Sequence, residues 1–306
     1  MADAQFQMSR TTRGGVVGAD GMLRRDTMRS LSIARNTFRQ MFHLPVVYVI
    51  LGGSVVLLAV VGQLPRFTMS MVDDIRMLKD LSIATATLCG MLVAIFGAVH
   101  AITVEIENWT VVTVLSKPVS RWEFVVGKFL GLALGLTVIF AALTVVYTLL
   151  LWWGMWTSIW DYRGIYPEMV RDFSKIAAKA ADQMWRGMVL SLLQVLVLSA
   201  VAVACCVRAP MIISVVIFFT VFVVGHFVEV LSRAAREAGT VLGGAVAWVL
   251  TAVIPDLEGL NYSQEVLGAD DLVHTGVLGW GLAYALMYCG AGVLVALLLF
   301  RNREVI

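Results

Sequence analysis

The sequence predicts an all-α membrane protein with six transmembrane helices, and three observations carry that prediction. Of its 306 residues, 59% are hydrophobic and only 14% are charged, whereas a soluble domain has about 45–50% apolar and about 25% charged residues. The mean hydropathy is +0.85. Six apolar stretches each supply the ~20 residues that a spanning helix needs. Such a chain cannot cover itself with polar surface, so a bilayer must hide the excess. The net charge of +2 is too small to point to nucleic acid.

Residues 1–29 read as a flexible basic tail, and residues 30–306 as one transmembrane domain. Residues 1–42 hold no apolar h-region, so no signal peptide is expected. Residues 14–21 are Gly-rich without apolar periodicity. Residues 30–42 then read as an amphipathic helix. Leu31, Ala34, Phe38 and Met41 lie on one face, and Arg35 and Arg39 lie on another at i, i+4 spacing. A basic amphipathic helix beside a span suits the headgroup region.

The spans are residues 44–64, 81–104, 124–153, 188–207, 211–231 and 277–300. The third is long enough to tilt or project beyond the bilayer. Trp152, Trp153, Trp156 and Trp160 cluster at its end, where an interfacial aromatic belt belongs. A seventh apolar run, residues 241–254, is too short and Gly-rich to span and suits a re-entrant or interfacial segment.

Basic residues set the orientation. Arg10, Arg13, Arg24, Arg25, Arg29, Arg35 and Arg39 outnumber Asp3, Asp20 and Asp26, placing the N-terminus in the cytoplasm by the positive-inside rule. Six spans return Arg301 and Arg303 to the same side, which favours the even count. The expected location is the inner membrane, with Lys117, Arg121, Lys128 and Arg208 in cytoplasmic loops. Residues 232–275 are acidic on balance and lie outside. Residues 162–186 read as an amphipathic outer helix: Phe173, Ile176, Ala177 and Ala180 form its stripe, and its charges are spaced for i, i+4 pairs.

Ionisable residues at membrane depth are functional candidates. His100 closes the second span, Gln194 lies on the fourth, and His226 and Glu229 share one face of the fifth. The last two suit either a path between subunits or a pair with each other near the outer surface; Gln194 is a third candidate for such a path. Cys89, Cys205, Cys206 and Cys289 all lie in apolar runs without zinc-type spacing, and read as packing residues. No metal site, bound cofactor or catalytic constellation is expected.

The informative stretch is residues 104–132, VEIENWTVVTVLSKPVSRWEFVVGKFLGL. Glu105 and Glu107 suit the first turn of a helix. A short apolar helix, residues 109–115, comes next, with Trp109, Val111, Val112, Val114 and Leu115. Pro118 stops it. Ser120 then caps the next helix with Glu123 three residues on, as in a capping box. An apolar, sharply bounded cytoplasmic helix either docks on a partner or lies in the lipid interface; the residues alone leave both open.

This stretch resembles the cytoplasmic loop of type-2 ABC transporter permeases. The residues that carry the likeness are Glu107, Thr110, Leu115, Ser116, Pro118, Val119, Ser120, Arg121, Gly127, Lys128 and Gly131. Residues 32–42 resemble the family's N-terminal elbow helix, residues 79–98 its second span, residues 254–262 the element before its last span, and residues 300–305 its C-terminal end. Asn108 and Trp109 depart from the basic residues or glycine common before the loop threonine. Asp256 replaces a common asparagine, and Leu260 a common phenylalanine.

The resemblance implies a coupling helix that docks on a separate ATPase, with two permeases and two ATPases in the complex. Glu105, Glu107, Trp109, Thr110, Leu115, Ser116, Pro118, Ser120, Arg121 and Lys128 would then form the coupling loop. ATP and Mg²⁺ would sit in the partner, because Gly127-Lys128 is followed by Phe129 and Trp122 stands where a P-loop needs glycine. The alternative is a secondary transporter or channel without an ATPase, which predicts midplane charges and internal repeats. An intramembrane enzyme would need catalytic groups within the spans. The cargo stays open among lipid, drug, peptide, ion and polysaccharide.

Overall fold

The computed structural model describes residues 29–61, 71–107, 120–162, 167–237, 241–260 and 275–301. Helices dominate, and no strand occurs among the described residues. Helix α1 (Arg29–His43) meets α2 (Pro45–Val61) at a bend of 59°. Proline accounts for the break. Pro45 opens α2, where its missing N–H costs nothing, and it biases Leu44 away from helical geometry.

Helix α3 (Met71–Ala98) runs into a π-helical turn, Val99–Thr103, and a last turn α4 (Val104–Glu107). Helices α5 (Arg121–Tyr162) and α6 (Pro167–Arg208) have 42 residues each, about 63 Å at 1.5 Å per residue and so about twice the ~30 Å hydrocarbon core. Helix α7 (Met211–Glu237), the short α8 (Val241–Val253) and α9 (Thr275–Arg301) complete the order, with a 3₁₀ turn at Glu258–Leu260. Among the described residues, five helices are long and apolar enough to cross a membrane, and α1 with α2 makes a sixth if the bent pair is one span.

Helix α6 is the centre of the bundle, packed against α3, α5, α7 and α9. A Cβ on Gly90 of α3 would meet Phe140 of α5 and Val195 of α6; one on Gly187 of α6 would meet Ile83 of α3. A Cβ on Gly292 of α9 would come within 2.8 Å of Ala200 of α6, and Gly281 lies against Leu190 and Leu193. Gly97 of α3 likewise meets Leu132 of α5, and these pairings make α3, α6 and α9 parallel and α5 antiparallel to them. The visible beginning at α1 and the visible end of α9 therefore lie at one end of the bundle, as an even number of crossings requires.

One expectation changes. Residues 167–186 are not a separate outer helix but the first turns of α6. After Pro167 at its start, no proline and only Gly187 occurs before Arg208, so nothing ends the helix. The run at 241–254, expected to be too short to span, gives the helix Val241–Val253, which turns back along α7 without crossing: 13 residues reach only about 20 Å. Leu257 N–H donates to Gly225 O at 3.1 Å, so the returning chain stops part-way down α7. A Cβ on Gly225 would meet Leu257 at 2.8 Å, and glycine is what admits that approach.

Candidate functional site

The end of the bundle that holds α1, α4, the start of α5 and the end of α9 brackets residues 108–119. Trp109, Thr110, Leu115, Ser116 and Pro118 lie outside the described residues, as does the short helix expected there, and Glu107 is the last residue of α4. What is described is how both flanks of that segment are held.

On the α4 flank, Lys128 Nζ donates to Glu105 Oε1 at 2.6 Å, with side-chain exposures of 3% and 17%. Gln40 of α1 donates to the same oxygen at 3.1 Å. The Lys128 ammonium also lies 5.5 Å from the centre of the Phe124 ring, close enough for a cation–π attraction. The π turn helps set the geometry. Val104 N–H bonds back to Val99 O, and one extra residue in a turn rotates the side chains beyond it by about 100°. Glu105 thereby reaches α5 and α1 together. Thr103 Oγ donates to Cys206 O of α6 at 3.4 Å and ties the same turn to the central helix.

On the α5 flank, the expected capping box is present. Ser120 N–H donates to Glu123 Oε2 at 2.8 Å, and Glu123 N–H donates to Ser120 Oγ at 3.4 Å. Arg121 donates to Phe300 O at 3.3 Å and Arg301 O at 3.0 Å. A cation there satisfies the last carbonyls of α9 and complements its dipole. Phe124 stacks on Phe300 with centroids 5.8 Å apart. The sequence marks Arg121 as a loop residue; its grip on a helix 180 residues away is not visible in one dimension.

Helix α1 is held against α5 by Gly127, Gly131 and Gly135, one per turn. Their missing side chains admit Ile33 and Ser30, Ala34 and Thr37, and Met41. Close backbone approach through small residues at i, i+4 is a recurring way for membrane helices to pack. The buried face of α1 is therefore Ala34, Thr37 and Met41, with Leu31 of the expected stripe exposed instead. Arg35 and Arg39 are exposed, as the amphipathic pattern predicts.

The polar residues expected along a pathway separate. Glu229 pairs with Arg233 on the exposed side of α7. His226 turns instead to α6: Gln194 Nε2 lies 3.1 Å from His226 Nε2 and donates to Leu257 O at 3.3 Å. His226 Nδ1 lies 2.9 Å from Phe222 O. A carbonyl can only accept, so Leu257 O fixes the Gln194 amide orientation, and Phe222 O puts the histidine proton on Nδ1. His226 Nε2 then accepts from Gln194, and the node closes without an unmet donor. The pair expected between His226 and Glu229 loses because a salt bridge to Arg233 and a buried amide partner are both available. Gln194→Leu removes the donor to two buried acceptors and should destabilise the chain by about 1–3 kcal/mol. Chemical or thermal unfolding in detergent measures this, and an unchanged midpoint would mean the node contributes nothing.

Compared with known protein families, the chain matches ABC-2 family transporter protein over residues 2–265. No curated protein matches it. The family match runs from before α1 through the short helix α8 and takes in both flanks of the bracketed segment. A match of that extent, on a bundle of membrane-spanning helices, makes this chain a member of the ABC-2 transporter family.

Proposed function

We propose that this chain is the permease subunit of an ABC transporter, and that residues 108–119 are its contact with a separate cytoplasmic ATPase. ATP and Mg²⁺ would be bound in that partner. The observation that carries the proposal is the anchoring of both flanks of this segment. Glu105 with Lys128 and Gln40 holds one side, and the Ser120–Glu123 box with the Arg121 clamp holds the other. A force applied to the segment would pass at once to α1, α3, α5 and α9 rather than dissipate in a loose loop. In this reading Glu105 and Lys128 are transmitting residues, and Trp109 and Glu107 are the contacts.

The bracketing end is then cytoplasmic, with both termini on that side of the inner membrane. A second permease completes the pathway. Helices α7 and α9 keep most of their apolar surface outside the bundle, and a second copy or a similar subunit would cover part of it. ATP-driven closure of the paired ATPases moves both bracketed segments and alternates access to a path between the permeases.

The double substitution Trp109→Ala, Glu107→Ala tests this. Buried aromatic anchors dominate interfaces of this kind, with costs of about 2 kcal/mol or more. The variant is expected to insert normally and to lose most ATPase co-purification, or to leave ATP hydrolysis uncoupled from transport. Full recruitment and full coupled activity at matched permease levels would refute the docking role.

A further inference from the structure

At the opposite end of the bundle, the chain leaving α8 and the first turns of α9 enclose a cavity of about 170 Å³ lined by Asp256, Gly259, Leu260, Trp280, Gly281 and Tyr284. A single water needs only about 10–15 Å³ of such space. We infer that this cavity binds an organic ammonium group, held by the Asp256 carboxylate against the rings of Trp280 and Tyr284.

Four features carry the inference. The first is depth. Gly281 is six residues into α9, about 9 Å along its axis, and it rests on Leu190 and Leu193 of α6. The half-buried carboxylate therefore sits beside the first turn of the candidate span Leu278–Arg301, where a charge is costly unless it is paired. The second is pairing. Asp256 Oδ1 accepts from Gly259 N–H at 3.0 Å, and among the described residues no Lys or Arg forms an ion pair with Asp256. One backbone donor caps a turn but leaves the net charge in place.

The third is the wall. Trp280 and Tyr284 are one turn apart on α9. The Tyr284 hydroxyl accepts from Asp256 N–H at 2.8 Å, which fixes the phenol beside the carboxylate segment. Aromatic faces with a carboxylate favour a soft organic cation. A hard divalent ion seeks oxygen ligands and keeps its waters, whereas this lining sets one carboxylate among aromatic and apolar side chains. The fourth is the opening. Trp280 is 74% exposed on the outer surface of α9, so the cavity is reached from the side of the bundle, where lipid lies. An ammonium on an apolar chain meets both requirements. This site does not depend on ATPase docking at the other end.

The full chain in lipid nanodiscs is titrated with radiolabelled dodecyltrimethylammonium, corrected for empty nanodiscs. Saturable binding is expected, weakened at least about tenfold by Asp256→Asn. Asparagine keeps the oxygen that accepts from Gly259 N–H, so the turn and the thermal midpoint should survive. Trp280→Leu, at an exposed position, should weaken binding several-fold without unfolding the chain. Competition by tetramethylammonium at similar concentrations would support the ammonium site and assign it to water-soluble amines; weak competition would support it and assign it to amphiphiles. Equal affinity for the zwitterionic, net-neutral dodecyldimethylamine N-oxide, or unchanged affinity in folded Asp256→Asn, would overturn the inference and leave Asp256 as a turn cap only.

Discussion

Lys128→Met is expected to destabilise the chain by about 3 kcal/mol and to abolish coupling, the larger part of the loss coming from what it leaves behind. Removing one partner of a buried ion pair typically costs about 3–5 kcal/mol, because the other charge stays desolvated. Glu105 would keep the Gln40 amide, and its 17% exposure lets some water reach it, which favours the lower figure. Glu105→Gln should be milder, since the amide oxygen can still accept from Lys128 while one charge remains. The double substitution Lys128→Met, Glu105→Leu removes both charges and should recover most of the stability. It should not recover coupling, because the link between α4 and α5 is gone. Unfolding midpoints of the three variants, set beside ATP-driven transport at equal permease levels, separate the two effects. Equal destabilisation by the single and double changes would mean that the pair contributes no specific linkage.

Gly131→Ala should detach α1 from α5 despite adding a single carbon. Its Cβ would lie 2.5 Å from Ala34 O and 2.6 Å from Thr37 Cβ. Those atoms belong to or branch directly from the α1 backbone, so relief requires the helix to move. Overpacking of this kind costs about 1–3 kcal/mol, well beyond the ~1 kcal/mol that alanine gains over glycine in a helix. Gly127→Ala meets Ser30 O at 2.9 Å and should rank next. Gly135→Ala meets the flexible thioether of Met41, which can swing aside, so it should be mildest. A cysteine at the buried Thr37 position reports the outcome. Its maleimide labelling in micelles should rise most for Gly131→Ala and least for Gly135→Ala. Equal labelling across the series would show that α1 is not held by these glycines.

Much of this arrangement can be read from residues near each other in the chain. The bend at Pro45, the Ser120–Glu123 box and the inability of residues 241–254 to span all come from local rules about proline, caps and length. What escapes the sequence is joined across it. Arg121 reaches carbonyls at Phe300 and Arg301, Glu105 reaches Lys128 and Gln40, and Gln194 claims His226 from its helical neighbour Glu229. Periodicity assigns a side chain to a face but not to a partner. On α1 it even misplaces the contact, because Thr37 fits between glycines where the larger Leu31 stays outside. The π turn leaves no local signature, since Val99–Thr103 reads as a continuation of α3.

Whether force enters at the bracketed end is decided by which face of the chain touches the ATPase. A photo-crosslinking residue at Ser116 and, separately, one at the exposed Trp153 of α5 can be introduced into the full chain co-expressed with the ATPase that supports its activity. Irradiation in intact cells should join the ATPase to the chain from position 116 and not from position 153. Crosslinking from position 153, or none from position 116 while the ATPase still co-purifies, would contradict docking at residues 108–119.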